Sequence, residues 1–266
     1  MVINKQLLKE NPYGVINRTL LTSNIIHRTS LTFTMNAFCF LSAIPMRSEA
    51  SHCSEMVNQL LFGDSVELLD SLPEWLKVKS LYDGYTGWVS DKQLRLMEHL
   101  PATDFVVPCN TRAEYDGIAV TLPAGSSCSR SWLVDATPAS DTELKPTSVA
   151  MQFLGTPYLW GGRTSMGIDC SGLVQVVYKI CGFKMPRDAS QQASIGTETS
   201  IVESKPGDLA FFSNGNGKIV HVGIVDSDNM IIHASGRVRR DPLDATGIFN
   251  NEINGYSHRL AFIKRL

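Results

Sequence analysis

The patterning of the chain predicts an α+β fold, with a small β-barrel preceding a unit of helices packed on an antiparallel sheet. Two observations carry this reading. Between residues 37 and 98, short runs with period-two alternation are separated by turn pairs, which is how a small barrel reads. From residue 146 onward the helical patterns come first and the strands later, and that segregation marks α+β rather than alternating βαβ units.

Residues 1–36 carry little pattern and read as an N-terminal extension, either unstructured or upstream of a translation start at Met35. The apolar stretch LTFTMNAFCFLSAIP (31–45) lies late, is broken by Asn36 and runs into the first strand, so it reads as a strand rather than a signal peptide. A domain over 37–98 follows. AFCFLSAIPM (37–46) is apolar and extended, with Pro45 near its end. SVELLD (65–70) begins after the turn pair Gly63-Asp64. In EWLKVKS (74–80), Leu76 and Val78 alternate with Lys77 and Lys79, and Asp83-Gly84 supplies a hairpin turn into GWVS (87–90). The order W-x-K-V, then D-G-Y-x-G-W-V, resembles a bacterial SH3 (SH3b) domain over residues 43–97.

Residues 99–145 hold FVVPC and IAVTLPAG, read as strands of a second, degraded SH3-like unit, and DATPASDTELKP (135–146) has linker composition. The last domain covers 146–266. SVAMQFLG (148–155) is a short helical pattern with Gly155 as its C-terminal cap. Residues 170–180 form a second helix, with Leu173, Val174, Val177 and Ile180 on one stripe and Gly182 ending it. The strands DLAFF (208–212), KIVHVGIV (218–225), NMIIHAS (229–235) and HRLAFIKRL (258–266) complete the domain.

Composition excludes several function classes. The 266 residues are 43% apolar and 19% charged with a formal net charge of −2, which gives no basis for a nucleic-acid or anionic-membrane partner. No run reaches the roughly 18 apolar residues that span a bilayer. The six cysteines have no CxxC pair and no zinc-ligand spacing, so neither a metal nor an organic cofactor is expected. A chain of this size does not need disulfides, and mostly reduced thiols favour the cytoplasm, with a periplasmic or secreted location as the alternative. A monomer is expected.

The chemistry centres on Cys170, in GIDCSGLVQVVYKICG, where a Gly-containing loop enters a helix. Backbone N–H groups and the helix dipole there favour a thiolate and lower the thiol pKa. On position alone, a nucleophile and a buried apolar thiol are both open readings. A thiolate needs a base, and His221 and His233 lie in strongly apolar strands where a polar ring is out of place. If Val225 and Asn229 close a three-residue loop, antiparallel register sets His221 directly opposite His233 with both rings on one sheet face. A two-residue loop would separate them to opposite faces. In the first arrangement Cys170 attacks a carbonyl, His221 moves the proton, His233 fixes the tautomer of His221, and the Cys170 N–H stabilises the oxyanion.

The segments GTPYLWGG (155–162), DCSGLVQ (169–175), PRDASQQ (186–192), KPGDLAFF (205–212), HVGIV (221–225) and IIHAS (231–235) resemble the NlpC/P60 family in order and spacing. The resemblance implies a papain-like fold and a Cys170–His221–His233 triad. With an SH3b domain in front, it further implies a γ-D-glutamyl-L-diamino acid endopeptidase. Such enzymes act on murein stem peptides with a free N-terminal L-Ala. Asp169, Ser171, Ser190, Tyr158 and Trp160 would then line the pocket, and Glu55 and Tyr85 would bind the substrate ammonium. The competing roles are helix caps for Asp169, Ser171 and Ser190, core aromatics for Tyr158 and Trp160, a solvated charge for Glu55 and a barrel residue for Tyr85. Competing functions are a related amidase or acyltransferase, and an inactive wall-binding protein.

Overall fold

A computed structural model describes residues 35–134 and 144–266. Residues 1–34 of the expected extension and 135–143 of the expected linker lie outside them. The N-terminal sheet is built from β1 (Asn36–Phe38), β2 (Ala43–Arg47), β3 (Met56–Leu61), β4 (Ser65–Leu72), β5 (Trp75–Ser80), β6 (Thr86–Ser90) and β7 (Arg95–Met97). Their order is β3-β2-β6-β5-β4-β1-β7. The expected single strand over 37–46 is two strands. A bend over 41–42 sends β1 to pair with β4 and β7, and β2 to pair with β3 and β6. Val66, Leu76, Val78 and Val89 pack with Ala37, Ile44 and Leu60 into the core of this unit.

Next come β8 (Phe105–Val106), β9 (Thr111–Tyr115), β10 (Ile118–Leu122) and β11 (Ser127–Cys128), which form two separate two-stranded ladders, β9 with β10 and β8 with β11. Phe38, Phe62, Tyr115 and Trp132 close a shared aromatic cluster, with Tyr115 and Trp132 ring centroids 4.8 Å apart. The segment is thereby packed onto the first sheet.

The C-terminal unit opens with α1 (Pro146–Met151), which has Pro146 in its first turn, where a missing N–H costs nothing. Then follow the small hairpin β12 (Arg163–Thr164) and β13 (Gly167–Ile168), α2 (Cys170–Ile180) and α3 (Ala189–Gln192). The strands are β14 (Thr197–Thr199), β15 (Leu209–Ser213), β16 (Ile219–Asp226), β17 (Met230–Ser235), β18 (Arg237–Pro242), β19 (Gly247–Asn250) and β20 (Gly255–Arg265). They make an antiparallel sheet ordered β14-β20-β15-β16-β17-β18, with β19 added against β20. Val149, Leu173, Val174 and Val177 of the helices meet Phe211, Val222, Ile224 and Ile232 of the sheet in one core. This is the helices-on-sheet α+β arrangement that the patterning predicts, joined to an SH3-like unit. No helix among the described residues is long and apolar enough to cross a membrane.

The helix α2 is buried along its whole length, not on one stripe. Its second face is covered by the N-terminal sheet, which explains the polar residues there. Gln175 donates to Asp83 Oδ2 at 2.8 Å, and the Lys179 ammonium donates to Asp64 Oδ1 at 3.0 Å.

Candidate active site

Cys170 is the first residue of α2, so its N–H has no intrahelical acceptor. The helix starts there because Asp169 caps it, accepting from Gly172 N at 2.6 Å. The other carboxylate oxygen of Asp169 takes Gly161 N, and the Arg187 guanidinium spans both oxygens. Ser171 Oγ accepts from Arg187 and donates to Asp169. Asp169, as the cap, and Ser171, through Arg187 and Asp169, are therefore engaged by the protein itself, on either side of the sulfur.

The thiol faces β16, where the N–H of Val222, the residue after His221, hydrogen-bonds the sulfur, as does the N–H of Ser171. Burial pushes the Cys170 thiol up to about 11, the Asp169 charge adds to the rise, and the two N–H bonds and Arg187 oppose it. This corrects the expectation of a lowered pKa. The dipole and the N–H groups are present, but at 7% exposure desolvation outweighs them. The resting group at neutral pH is a thiol.

His221 and His233 project from the same face, but not from directly opposite positions. The loop is Ser227-Asp228-Asn229, and the pairing runs Asp226 with Met230 and Gly223 with His233. The expected register was therefore wrong by two residues, His233 facing Gly223 rather than His221. Asp228 and Asn229 both take positive φ, which carries the turn one residue later along the chain than the apolar pattern suggests. The shift preserves side-chain parity, so the rings still meet on the diagonal, with His221 Nε2 2.9 Å from His233 Nδ1. Gly223 makes room for this: a Cβ there would lie 2.9 Å from the His233 Cβ and 2.7 Å from Ile231.

Two further residues complete the cluster. Asp241 on β18 lies 3.0 Å from His233 Nε2. It is reached because Gly236, at φ +69°, turns β17 into β18 with His233 opposite Arg239. That tight Ser-Gly-Arg turn was the signal in the sequence that could have found it. His258 on β20 stacks on His221, centroids 4.0 Å apart and planes within 22°. Nothing local in the sequence indicated this, since β20 reaches the site only by pairing with β15. Burial, then the neighbouring His258 and His233, hold His221 well below its ordinary value of 6.5. Burial also lowers His233, against the pull of Asp241, and takes His258 down to about 4. All three are neutral bases at pH 7. Their ligating atoms lie within 4.8 Å of one another, and two of these rings, His221 and His233, are hydrogen-bonded to each other.

Around this centre, Tyr158 is half-buried, and burial followed by the charge of Cys170 raises its phenol pKa. Trp160 is 59% exposed and its indole N–H donates to Glu55, which ties the N-terminal unit to the loop before α2. Trp160 is not core, whereas Tyr158 packs against the edge of the main core. Tyr85 is half-buried near Asp188, Arg187, Asp169 and Asp83. Ser190 is exposed on α3, whose cap is Asp188 and not Ser190. Tyr158 thus lies beside Cys170, Tyr85 lies near Asp169 and Arg187 while also packing on the barrel core, Glu55 and Trp160 meet each other, and Ser190 stays exposed.

Residues 155–254 match the NlpC/P60 family model, and residues 46–94 match a bacterial dipeptidyl-peptidase SH3 domain. A probable endopeptidase NlpC of Escherichia coli is 49% identical over 34% of this chain, a segment spanning 61% of that relative. A γ-D-glutamyl-L-lysine dipeptidyl-peptidase of Bacillus subtilis is 31% identical, covering 68% of this chain and 74% of its own length. The crystal structure of an NlpC/P60 family protein from Bacillus cereus superposes with a TM-score of 0.70 at 21% identity, over 86% of this chain and 99% of that one, which shows a common fold. With a likeness that runs through both units and a cysteine at a helix mouth beside paired histidines, the chain belongs to the NlpC/P60 family.

Proposed function

We propose that this protein is a cysteine endopeptidase that hydrolyses the γ-D-glutamyl–diamino acid bond of murein stem peptides with a free N-terminal L-Ala. The observation that carries the reading is Cys170 at the N-terminus of α2, beside a strand whose His221 is hydrogen-bonded to His233. The named activity of the Bacillus subtilis relative, which shares both units, supports the choice of bond.

The steps follow from the groups present. The Cys170 thiol gives its proton to neutral His221 as sulfur attacks the γ-carbonyl carbon, and the carbonyl π-pair moves to oxygen. The N–H of Cys170 faces the resulting oxyanion. Collapse breaks the C–N bond, the diamino-acid amine leaves with the proton from His221, and a thioester remains. Water, deprotonated by His221, then cleaves the thioester and returns the thiol. A thiol with a pKa raised to about 11 is a strong nucleophile once ionised, and its burial makes proton removal and attack a joint step.

Glu55 and Tyr85 are proposed to hold the substrate ammonium, with Tyr158 and Trp160 against the acyl part. Ser190 stands at the rim, and Asp169 and Ser171 act indirectly, Asp169 as the cap of α2 and Ser171 through Arg187. Glu55 already bonds Trp160, so an ammonium arriving there joins an anion held in place. The enzyme is read as a monomer acting on free peptides in the cytoplasm.

The test uses L-Ala-γ-D-Glu-diaminopimelate and its lysine counterpart. Cys170→Ala is expected to abolish cleavage with an unchanged Tm, and an active variant would overturn the nucleophile. Acetylating the substrate N-terminus is expected to reduce cleavage at least about tenfold, the effect of roughly 1.4 kcal/mol of lost ammonium binding. Equal rates for the two substrates would remove the ammonium pocket.

A further inference from the structure

We propose that Asp241 is a positioning residue that sets the tautomers of the His221–His233 pair and so selects Nδ1 of His221 as the atom that takes the Cys170 proton. The inference rests on the peptidase reading above and assigns a role to a residue outside the expected triad.

Asp241 is an ionised carboxylate and can only accept. Burial works against its charge, yet hydrogen bonds from His233 and Arg239 hold it below the usual carboxylate range. At 3.0 Å from Asp241 Oδ2, His233 Nε2 therefore carries hydrogen. A neutral His233 then has its lone pair on Nδ1, which lies 2.9 Å from His221 Nε2. His221 Nε2 must donate across that gap, so the His221 lone pair is on Nδ1. The reverse chain would set the lone pair of His233 Nε2 against a carboxylate oxygen, two acceptors facing each other in a buried place, which is costly. The tautomer of His221 is thus decided two hydrogen bonds away, two strands across the sheet.

The carboxylate is itself held. Arg239 Nη2 donates to Asp241 Oδ1 at 3.0 Å, and Arg239 is fixed by Asn250 Oδ1 and by Glu252. Asp241 therefore cannot turn away from His233 without breaking a second set of bonds. Once His221 holds the thiol proton, its positive charge is stabilised through His233 by this buried anion, as an orienting carboxylate does in a Ser-His-Asp site.

Two experiments test this. In Asp241→Asn, the amide oxygen stays on Arg239 Nη2 and the amide NH2 faces His233 Nε2, with Arg239 Nε, 2.5 Å from the wild-type Oδ2, turned aside. That makes His233 an acceptor there and reverses the chain. The expected result is a loss of kcat of about a hundredfold, within the range for a misplaced general base, with KM unchanged and activity recovered in Asp241→Glu. Asp241→Ala leaves water to serve either tautomer and is expected to lose less than Asp241→Asn. A merely structural carboxylate gives the opposite order, because alanine removes more contacts. Asn losing no more than Ala would overturn the proposal while leaving the Cys170 nucleophile intact. The second measurement needs no substrate: imidazole 15N spectra of the resting wild-type protein are expected to show Nε2–H on both His221 and His233. A neutral His221 with its proton on Nδ1 and none on Nε2 would overturn the assignment whatever the enzyme cleaves.

Discussion

At the scale of single residues, the site combines a neutral thiol with neutral imidazoles. That combination was only half legible in the sequence. The residue types and their apolar strands pointed to Cys170, His221 and His233. The direction of the thiol's pKa depended on how completely the two units close over it, which no local pattern encodes. A pH dependence follows. His221 works as a base only when unprotonated, and its value lies well below 6.5, so the acid limb of kcat/KM is expected to have its midpoint below 6.5. Labelling of Cys170 by iodoacetamide is expected to keep rising towards about pH 11. Labelling that saturates below neutrality would indicate a resting thiolate–imidazolium pair instead. Stability has a linked sign. The folded values of His221 and His233 are depressed, so below the ordinary 6.5 the unfolded chain binds more protons and stability falls with falling pH.

At the scale of elements, strands with one solvated face were readable and strands buried between the units were not. β5 alternates cleanly and was legible. β3, MVNQLL, was missed because its polar residues serve the other unit: Asn58 accepts from Arg187 at 2.8 Å, and Gln59 Oε1 accepts from Arg163 N at 2.7 Å. Polar side chains facing a neighbour break the apolar–polar rhythm as completely as a loop does. The same holds for α2, where Gln175 and Lys179 lie off the expected apolar stripe and are buried all the same. The His221–His233 contact survived a wrong register because parity, not exact pairing, decides the face. The diagonal meeting has a requirement of its own at Gly223. Gly223→Ala sets a methyl 2.9 Å from the His233 Cβ, so ring or strand must shift. The expected outcome is a kcat loss of about tenfold or more and roughly 1–3 kcal/mol of destabilisation from overpacking. Wild-type kcat in that variant would mean that the histidines tolerate a wider spacing than this geometry implies.

At the scale of the whole molecule, the N-terminal sheet acts as one wall of the peptidase, and the contact is charged. Asp64, 5% exposed, receives Arg163 Nη1 at 3.0 Å on one oxygen and Lys179 Nζ at 3.0 Å on the other. Burial opposes its ionisation, but Lys179 and Arg163 outweigh that and keep it below the usual carboxylate range. For Lys179, burial is the larger influence and pulls the ammonium down from 10.5 despite Asp64. Asp64 therefore supports two buried cations from across the domain boundary, and its loss leaves both uncompensated. Asp64→Ala is expected to destabilise by about 3–5 kcal/mol, the range for breaking a buried pair by removing one partner. The sign with pH discriminates this from a simple cavity. Without Asp64 the folded pKa of Lys179 falls further below its unfolded value. Below the ordinary 10.5 the unfolded chain then binds the extra proton, and part of the lost stability returns as pH rises through the depressed folded value. Adding Lys179→Met to Asp64→Ala removes one of the two unpaired charges, so the double variant is expected to be more stable than Asp64→Ala alone. Denaturant unfolding of the four proteins in this cycle measures the coupling. Additive losses, with no pH dependence in the single variant, would mean that the two units are held by shape and apolar contact, and that the buried charges contribute little to the way the sheet closes the active site.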